Sequence, residues 1–385
     1  MLNVVIVHTS YKDYLKYNLE ITSKNNNIYL LGDESVKKLE SIKNVNFVNI
    51  DKYLNTDLIK KYSDSFTNYS TNDKKYELFC FLRIFIVKMF TEEYNLTSIF
   101  HLDSDCILFY DINNYPFEKE IAYQNNLNEK DTDMCDSVHN GLLNIEFCNK
   151  FEDLFKEIYA EKDTSLIDNK LQYHKKFLVG GGICDMTFYY IMRKNNIVDV
   201  ENLANPKMID CKKYVFIDNI RTGEGFNSKN QYEKNNSILN SMIKLFKDEE
   251  GNIYIKDKKT GKKFYPYNIH FQGGNKKFIN QDLINIINDK EKSPELYNEN
   301  LEILLFSLLA ILLIFIIYKL YHNYHLIQWS YVKLEYFFSH FVRFSLSKHS
   351  SQSLTMTTGK SLNILSKLEV LVITIPPKNK ISQVL

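Results

Sequence analysis

The sequence predicts an α/β fold in which helices cover both faces of a sheet. Three short apolar runs, at 4–8, 28–31 and 45–50, each have the length of one strand. Residues 13–23, between the first two runs, carry apolar side chains at helical spacing. Continuous apolar strands are typical of a sheet buried on both faces, and their alternation with helices favours a doubly wound order.

The composition is that of a packed globular protein. The chain has 385 residues, enough for one large or two modest domains, with 44% hydrophobic and 25% charged residues. The net charge of +1 gives no general attraction to nucleic acid, so no such partner is expected. The six cysteines form no CxxC pair or other zinc spacing, and we expect reduced thiols in the core.

A pair of carboxylates follows the next predicted strand. Residues 74–94 have the apolar stripe of a long helix, and the apolar run at 98–102 leads directly into Asp103, Ser104 and Asp105. Residues 106–109 continue in extended form. The carboxylates therefore stand at the carboxyl end of a central strand, where open α/β sheets bind their ligands.

The second half of the chain shows weaker signals. His139, Asn140 and Gly141 predict a turn that leads into a strand at 142–145. Two glycine-bearing stretches, at 250–252 and 260–261, predict that part of 226–263 forms a β-hairpin. Two helices are expected as well, at 151–161 and, after three glycines at 180–182, at 183–194.

Two motifs have the chemistry of a diphosphate site. Carboxylates two residues apart at a bend can both reach one hard divalent cation, which neutralises phosphate charge. The late segment 270–276, His-Phe-Gln-Gly-Gly-Asn-Lys, adds three further groups. His270 can ligate a metal, Gly273 lets the backbone approach a phosphate, and Lys276 places a point charge beside it.

These residues together resemble glycosyltransferase family 8 and related retaining enzymes of the GT-A fold. That group shows an Arg on the helix before the metal strand, a strand ending in Leu-Asp-x-Asp, an Asn-Ser-Gly turn and a late His-Phe-x-Gly-x-x-Lys. Here Arg83 precedes 102–105, and 270–276 matches the late motif at every fixed position. Asn140 and Gly141 lack the intervening Ser.

The resemblance implies a hexosyltransferase with a Rossmann-like mixed sheet flanked by helices, spanning residues 1–290. The donor would be a nucleotide-sugar, UDP-sugar first, bound with Mn²⁺ (or Mg²⁺), and the acceptor a glycan, lipid or protein. The implied roles are metal ligands (Asp103, Asp105 and His270), groups at the diphosphate (Arg83, Ser104, Gly273 and Lys276), a donor-sugar contact (Asn140) and the nucleoside region (His8, Thr9 and Ser10).

The stereochemical course depends on the base. With retention, a donor phosphate oxygen can take the acceptor proton and no protein base is required. With inversion, a carboxylate must act as base on the opposite face, and Asp185 is the first candidate. As an acidic residue in the first turn of a helix, Asp185 is equally well explained by the helix dipole.

Two other functions fit part of the sequence. Residues 103–108 approach the first motif of haloacid-dehalogenase-like phosphatases, in which the first Asp is a nucleophile toward phosphate. That motif follows the first strand of its domain, whereas here several predicted strands and helices precede it. The other alternative is a catalytically inactive sugar-binding module on a membrane.

The C-terminal part predicts a membrane segment. After a linker at 291–302, residues 303–321 are almost wholly apolar, and roughly 20 such residues cross a bilayer. Lys and Arg are balanced on the two sides, so the orientation is not specified. The N-terminus lacks the flanks of a signal peptide, which favours a membrane-associated protein with a cytosolic catalytic domain. The tail at 322–385 has no functional interpretation.

Overall fold

A computed structural model of the chain describes residues 1–126, 132–177, 180–221, 231–234 and 242–288. All of them belong to one compact unit. The strands are β1 (Val4–His8), β2 (Ile28–Gly32), β3 (Val45–Asn49), β4 (Ser98–Leu102), β5 (Cys106–Leu108), β6 (Ala122–Gln124), β7 (Ser137–Asn144), β8 (Glu201–Asn202), β9 (Lys207–Ile209), β10 (Lys212–Ile217), β11 (Phe246–Lys247), β12 (Ile253–Lys256) and β13 (Lys263–His270).

The helices are α1 (Asp13–Thr22), α2 (Asp51–Leu54), α3 (Asp57–Ser65), α4 (Lys74–Glu93), α5 (Ile145–Phe155), α6 (Asp168–Phe177), α7 (Asp185–Lys194) and α8 (Gln281–Asn288). A π-helical turn, Lys156–Ala160, extends α5. The remaining short 3₁₀ turns are Glu34–Ser41, Ile112–Asn114 and Gly273–Phe278.

The predicted α/β architecture is confirmed, and its central sheet is mixed. Within the described residues the strand order is β3-β2-β1-β4-β7-β6-β8. The four strands β3, β2, β1 and β4 run parallel. The next strand, β7, runs antiparallel to both of its neighbours. The parallel strands therefore present their carboxyl ends, and the turn after β4, at one edge of the sheet.

Helices cover both faces of this sheet, as the continuous apolar strands predicted. Along β1, Val5 and Val7 pack into the core that contains α4. The alternate residues Val4 and Ile6 pack into a second core, which contains the apolar side of α1. Each such side chain, when fully buried, contributes about 1.5–3 kcal/mol. Packing on both faces of the sheet therefore holds β1, and with it the carboxyl edge of the parallel strands, in place.

A second sheet meets the first beyond the 103–105 turn. Its order is β11-β12-β13-β10-β9, and β5 pairs with β13. That pairing is antiparallel and sets Cys106 opposite His270. The predicted hairpin is confirmed: β12 pairs antiparallel with β11 and with β13. The two turns contain Gly251 at φ +83° and Gly261 at φ +66°, conformations that favour glycine.

The predicted turn at 139–141 is wrong, because these residues lie inside β7. The pairing of β4 with β7 sets Leu102 opposite Asn140 and His101 opposite Gly141. A Cβ on Gly141 would come within 3.0 Å of the Ala122 carbonyl oxygen. This glycine therefore serves close approach of two strands rather than a reversal of the chain.

The helix boundaries also differ from those predicted. The helix expected at 151–161 begins at Ile145, because the Asn144 side chain accepts a hydrogen bond from the Phe147 amide and caps it. The strand therefore ends at Asn144. The helix expected from residue 183 begins at Asp185. The short helices α2 and α3 were not predicted.

Among the described residues, no helix combines the length and the hydropathy that a bilayer crossing requires. The predicted linker at 291–302, the apolar segment at 303–321 and the tail at 322–385 lie outside the described residues. The membrane segment and the cytosolic location of the catalytic domain remain predictions.

Candidate functional site

The 103–105 turn is fixed by backbone hydrogen bonds. The Asp103 amide donates to the His139 carbonyl oxygen of β7 (2.7 Å), and the Cys106 amide donates back to the Asp103 carbonyl oxygen (2.9 Å). From α1, the Asn18 side-chain amide donates to the carbonyl oxygens of Ser104 (2.7 Å) and Cys106 (2.8 Å). The two carboxylates therefore project from a rigid turn.

Asp105 lies with His270 and Lys276, as the two sequence motifs implied. Its carboxylate is 3.4 Å from His270 Nε2 and 3.1 Å from Lys276 Nζ. The Phe271 amide donates to the Asp105 carbonyl oxygen (2.8 Å), which joins the end of β13 to the turn. His270 Nδ1 lies 3.0 Å from the Asp218 carbonyl oxygen. Because a carbonyl only accepts, Nδ1 carries the proton and Nε2 faces Asp105.

The electrostatics of this trio reflect close opposite charges in a buried place. Burial alone would raise the pKa of Asp105, but His270 and Lys276 outweigh it and hold that pKa well below its usual range. Burial alone would lower the pKa of His270 and of Lys276, and the negative charge of Asp105 instead raises both. Asp105 is therefore a carboxylate throughout the physiological pH range.

Asp103 belongs to a different cluster. Arg83, on α4, donates from Nη1 to Asp103 (2.5 Å) and from Nη2 to Asp185 (3.1 Å). Tyr189, one turn along α7, donates its hydroxyl to Asp185 (3.1 Å). Burial opposes the charge on Arg83, but the two carboxylates raise its pKa well above the usual value. One guanidinium thus bridges the 103–105 turn and the first turn of α7.

Two histidines that the sequence analysis did not assign to the site lie beside these clusters. His101 Nδ1 contacts the Val138 carbonyl oxygen (2.7 Å), and its Nε2 lies 4.0 Å from an Asp103 oxygen. His139 Nδ1 contacts the Ser137 hydroxyl (2.6 Å). Both Nε2 atoms are buried and have no hydrogen-bond partner within the described residues.

The end of β1 lies close enough to Lys276 and Asp105 for their charges to shift the pKa of His8. Burial, and then the nearby Lys276, lower the pKa of His8, while the Ser10 carbonyl oxygen, 3.0 Å from Nε2, acts in the opposite direction. Ser10 adopts φ +69°, and its amide donates to Asp33 (2.8 Å). Thr9 is half-buried between them. The predicted nucleoside region therefore has a defined loop geometry beside Lys276.

Three further predicted residues have the following positions. Gly273, at φ +60°, opens the short helical turn that carries Lys276. Ser104 directs its hydroxyl toward that of Tyr14 (3.3 Å). Asn140 is fully buried in β7, and neither of its amide atoms has a hydrogen-bond partner in the described part of the chain.

The ligand atoms present fit a divalent cation. Asp105 supplies a carboxylate, and His270 presents Nε2 because its other nitrogen is held by a backbone carbonyl, as in many metal sites. The possible ligand atoms of Cys106, His139 and His270 also lie within 4.8 Å of one another. Chemically, the cluster can hold a cation next to an ammonium group, the arrangement that a diphosphate requires.

Comparison with known proteins gives fold-level likeness only. No family model and no curated protein matches the sequence. The structure is similar to apo mouse xyloside xylosyltransferase 1 (13% identity, TM-score 0.37, 52% of this chain and 84% of that one). It is also similar to the PaToxG glycosyltransferase (13%, 0.32, 52% and 70%) and to an active-site mutant of LgtC (13%, 0.30, 48% and 72%). All three of these structural neighbours are glycosyltransferases.

Proposed function

We propose that the chain is a metal-dependent glycosyltransferase of the hexosyltransferase class. It moves a sugar from a nucleoside-diphosphate donor, UDP-sugar first, to a glycan, lipid or protein acceptor, with retention. The observation that carries the proposal is the trio of Asp105, His270 and Lys276 at the carboxyl edge of the parallel strands. Segments 165 residues apart in the sequence meet there with the groups a metal-bound diphosphate needs.

The positions of the trio suggest how the donor lies. When bound, a divalent cation held by Asp103, Asp105 and His270 supplies charge neutralisation at the diphosphate. Lys276 is 39% exposed at its side chain, so its ammonium can turn from Asp105 to a phosphate oxygen. The loop formed by His8, Thr9 and Ser10 then receives the nucleoside. Ligands of open α/β sheets occupy this same edge.

The transfer step balances without a protein base. The acceptor oxygen bonds to the anomeric carbon as the bond from that carbon to the diphosphate oxygen breaks. The bonding electrons go to the leaving diphosphate, where Lys276 stabilises the added charge, and the acceptor proton goes to a phosphate oxygen of the donor. We assign Asn140 to the donor-sugar side of the site.

Asp185 is best assigned to positioning under this mechanism. Its carboxylate already accepts hydrogen bonds from Arg83, from Tyr189 and from the Met186 amide. Acting as a base would require it to leave the Arg83 pair. For an inverting course it remains the first carboxylate to test.

The alternatives receive less support from the geometry. In a haloacid-dehalogenase-like phosphatase Asp103 would attack phosphate, yet here its carboxylate is paired with Arg83, and four strands precede it in the chain. A purely sugar-binding module needs no cation site, whereas Asp105 and His270 supply atoms that could hold a cation, with Lys276 beside them for a phosphate. A phospho-aspartate trapped on Asp103 would favour the phosphatase.

The test is a screen of nucleotide-sugars with the full chain and Mn²⁺, followed by the stereochemistry of any product. We expect Mn²⁺-stimulated transfer that falls to background in Asp103→Asn and in Asp105→Asn, while the circular dichroism spectrum is retained. Asp57→Asn, a fully exposed carboxylate on α3, is the matched control and should transfer normally. Full activity in both site variants would remove the assignment.

A further inference from the structure

The cation site contains more ligand atoms than the two motifs supply. Cys106, His139 and His270 come from β5, β7 and β13, and their ligand atoms lie within 4.8 Å of one another. Ligands of one tetrahedral Zn²⁺ are about 3.3–3.8 Å apart, as bond lengths of 2.0–2.3 Å require. The three atoms therefore need to converge by only about 1 Å. Asp105 Oδ1, at 3.4 Å from His270 Nε2, already has that spacing.

His139 is the informative member of this group. Its ring stacks on that of His270, with centroids 4.4 Å apart and planes 22° apart. The Ser137 hydroxyl lies beside Nδ1, so Nε2 is the atom left for another partner. The side chain is 5% exposed, and Nε2 has no hydrogen-bond partner within the described residues. A buried polar atom left without a partner costs about 1–3 kcal/mol, a cost that a ligand at this nitrogen removes.

Cys106 brings a different kind of ligand. The residue is fully buried and faces His270 across the β5–β13 pair. Sulfur and imidazole ligands favour late first-row cations, whereas Mg²⁺ prefers oxygen ligands and retains its water. Asp103, which would make the site richer in oxygen, is paired with Arg83. The ligand set around His270 thus differs in softness from a site made of carboxylates alone.

We propose that Cys106, His139, His270 and Asp105 form one site for a late first-row divalent cation such as Zn²⁺ or Co²⁺. His139 and Cys106 are the ligands that neither motif contains. This ligand set differs from the one proposed above, because Cys106 and His139 take the place of Asp103, which is paired with Arg83. A donor phosphate oxygen would then enter as a fifth ligand. The inference rests on the proposed function only for the role of the cation in transfer. Binding of the cation itself can be measured with no sugar donor present.

The experiment uses the full chain, stripped with a chelator and titrated with Co²⁺. We expect one equivalent to bind, with intense visible bands of tetrahedral cobalt and a near-ultraviolet thiolate-to-cobalt band. Zn²⁺ should displace Co²⁺, and excess Mg²⁺ should not. His139→Asn should weaken Zn²⁺ binding by at least about 10-fold, and Cys106→Ser should remove the thiolate band.

The control is Cys148→Ser, a buried thiol on α5, which should keep the wild-type cobalt spectrum. If a site variant fails to fold, the wild-type cobalt spectrum is sufficient by itself to test the site.

Weak octahedral cobalt bands with no thiolate band, or Mg²⁺ competing equally with Zn²⁺, would overturn the site. Mg²⁺-driven sugar transfer with such a spectrum would leave the proposed function standing. The cobalt bands with no transfer would leave the site standing and remove the function.

Discussion

Helix α4 contributes to two polar clusters, which differ in how completely their buried polar atoms are hydrogen-bonded. At Lys88, the carboxylate of Glu152 accepts hydrogen bonds from Tyr62, from Lys88 and from Lys156. Five residues earlier, Arg83 bridges Asp103 and Asp185. At Arg83 and on the two adjacent strands β4 and β7, three nitrogen atoms remain buried with no hydrogen-bond partner in the described residues: Nε of Arg83, Nε2 of His101 and Nε2 of His139.

This difference distinguishes a cluster that only stabilises the fold from one that can bind a ligand. The Glu152 cluster ties α3, α4 and α5 together and satisfies both carboxylate oxygens, so it has no capacity left for a ligand. In the described part of the chain, the three nitrogen atoms named above lack partners near the carboxyl edge of the sheet, which lowers stability unless a ligand binds to them. Polar groups that are buried and incompletely paired are therefore the better indication of function.

Breaking the Arg83 bridge should have the largest effect on stability. Arg83→Ala leaves the buried Asp185 and the partly exposed Asp103 without their partner, and we expect the free energy of unfolding to fall by about 3 kcal/mol. Arg83→Lys keeps the charge but loses the two-pronged geometry, so its loss should be smaller. Urea unfolding of the three proteins measures this. A loss below about 1 kcal/mol for Arg83→Ala would contradict the bridge.

Glu152→Gln tests the other cluster through pH. Burial raises the pKa of Glu152, but hydrogen bonds from Lys156, Lys88 and Tyr62 lower it to about 2 from a usual 4.5. Because the folded-state pKa is depressed, the stabilisation is present above pH 4.5 and is lost as the pH falls toward 2. The shift corresponds to about 3 kcal/mol at most.

In the Gln variant, this acid-dependent loss of stability should disappear from unfolding curves taken between pH 6 and pH 3. Sugar transfer at neutral pH should persist in the folded variant, unlike in the Arg83 variants. If the Gln variant lost as much stability as the wild type between pH 6 and pH 3, Glu152 would not titrate with the expected pKa.

Substitution of Gly182 tests the backbone packing just before Asp185, the first residue of α7. It adopts φ +138°, and a Cβ there would lie 2.3 Å from the Tyr69 carbonyl oxygen and 2.7 Å from Ser70 Cα. Gly182→Ala should lower stability by about 2 kcal/mol. Gly180→Ala is the matched control, because its Cβ would meet nothing within 4 Å. Equal thermal unfolding of the two variants would contradict this account.

The smallest expected effect is at the start of α4, before either cluster. Asp73 accepts hydrogen bonds from the amides of Lys75 and Tyr76. Asp73→Ala should cost about 1 kcal/mol in urea unfolding, and Asp73→Asn, which retains an acceptor, much less. A comparable loss in both variants would show that the carboxylate charge, rather than the cap, is what matters.

The sequence predicted what depends on local pattern. Apolar runs and helical spacing located β1, β4 and α4 because burial acts within each segment, and the turn at 103–105 follows β4 as expected. Two glycine turns identified the hairpins of the second sheet.

What failed depends on pairing between distant strands. His139 and Gly141 looked like a turn, since nothing local shows that β4 and β6 flank them. His101 could have been noticed, because strand alternation sets it on the same face as Asp103. Cys106 had no zinc spacing in the chain, and its neighbourhood with His139 arises only from tertiary structure.

Because β5 and β13 pair in one antiparallel register, binding of the cation should depend on how these two strands are aligned. Only one alignment sets Cys106 opposite His270, and a shift of one residue would turn that imidazole to the far side of the sheet. Amide hydrogen exchange in β13 should therefore slow when the protein takes up Co²⁺, because the ion locks the hairpin of the second sheet to the first.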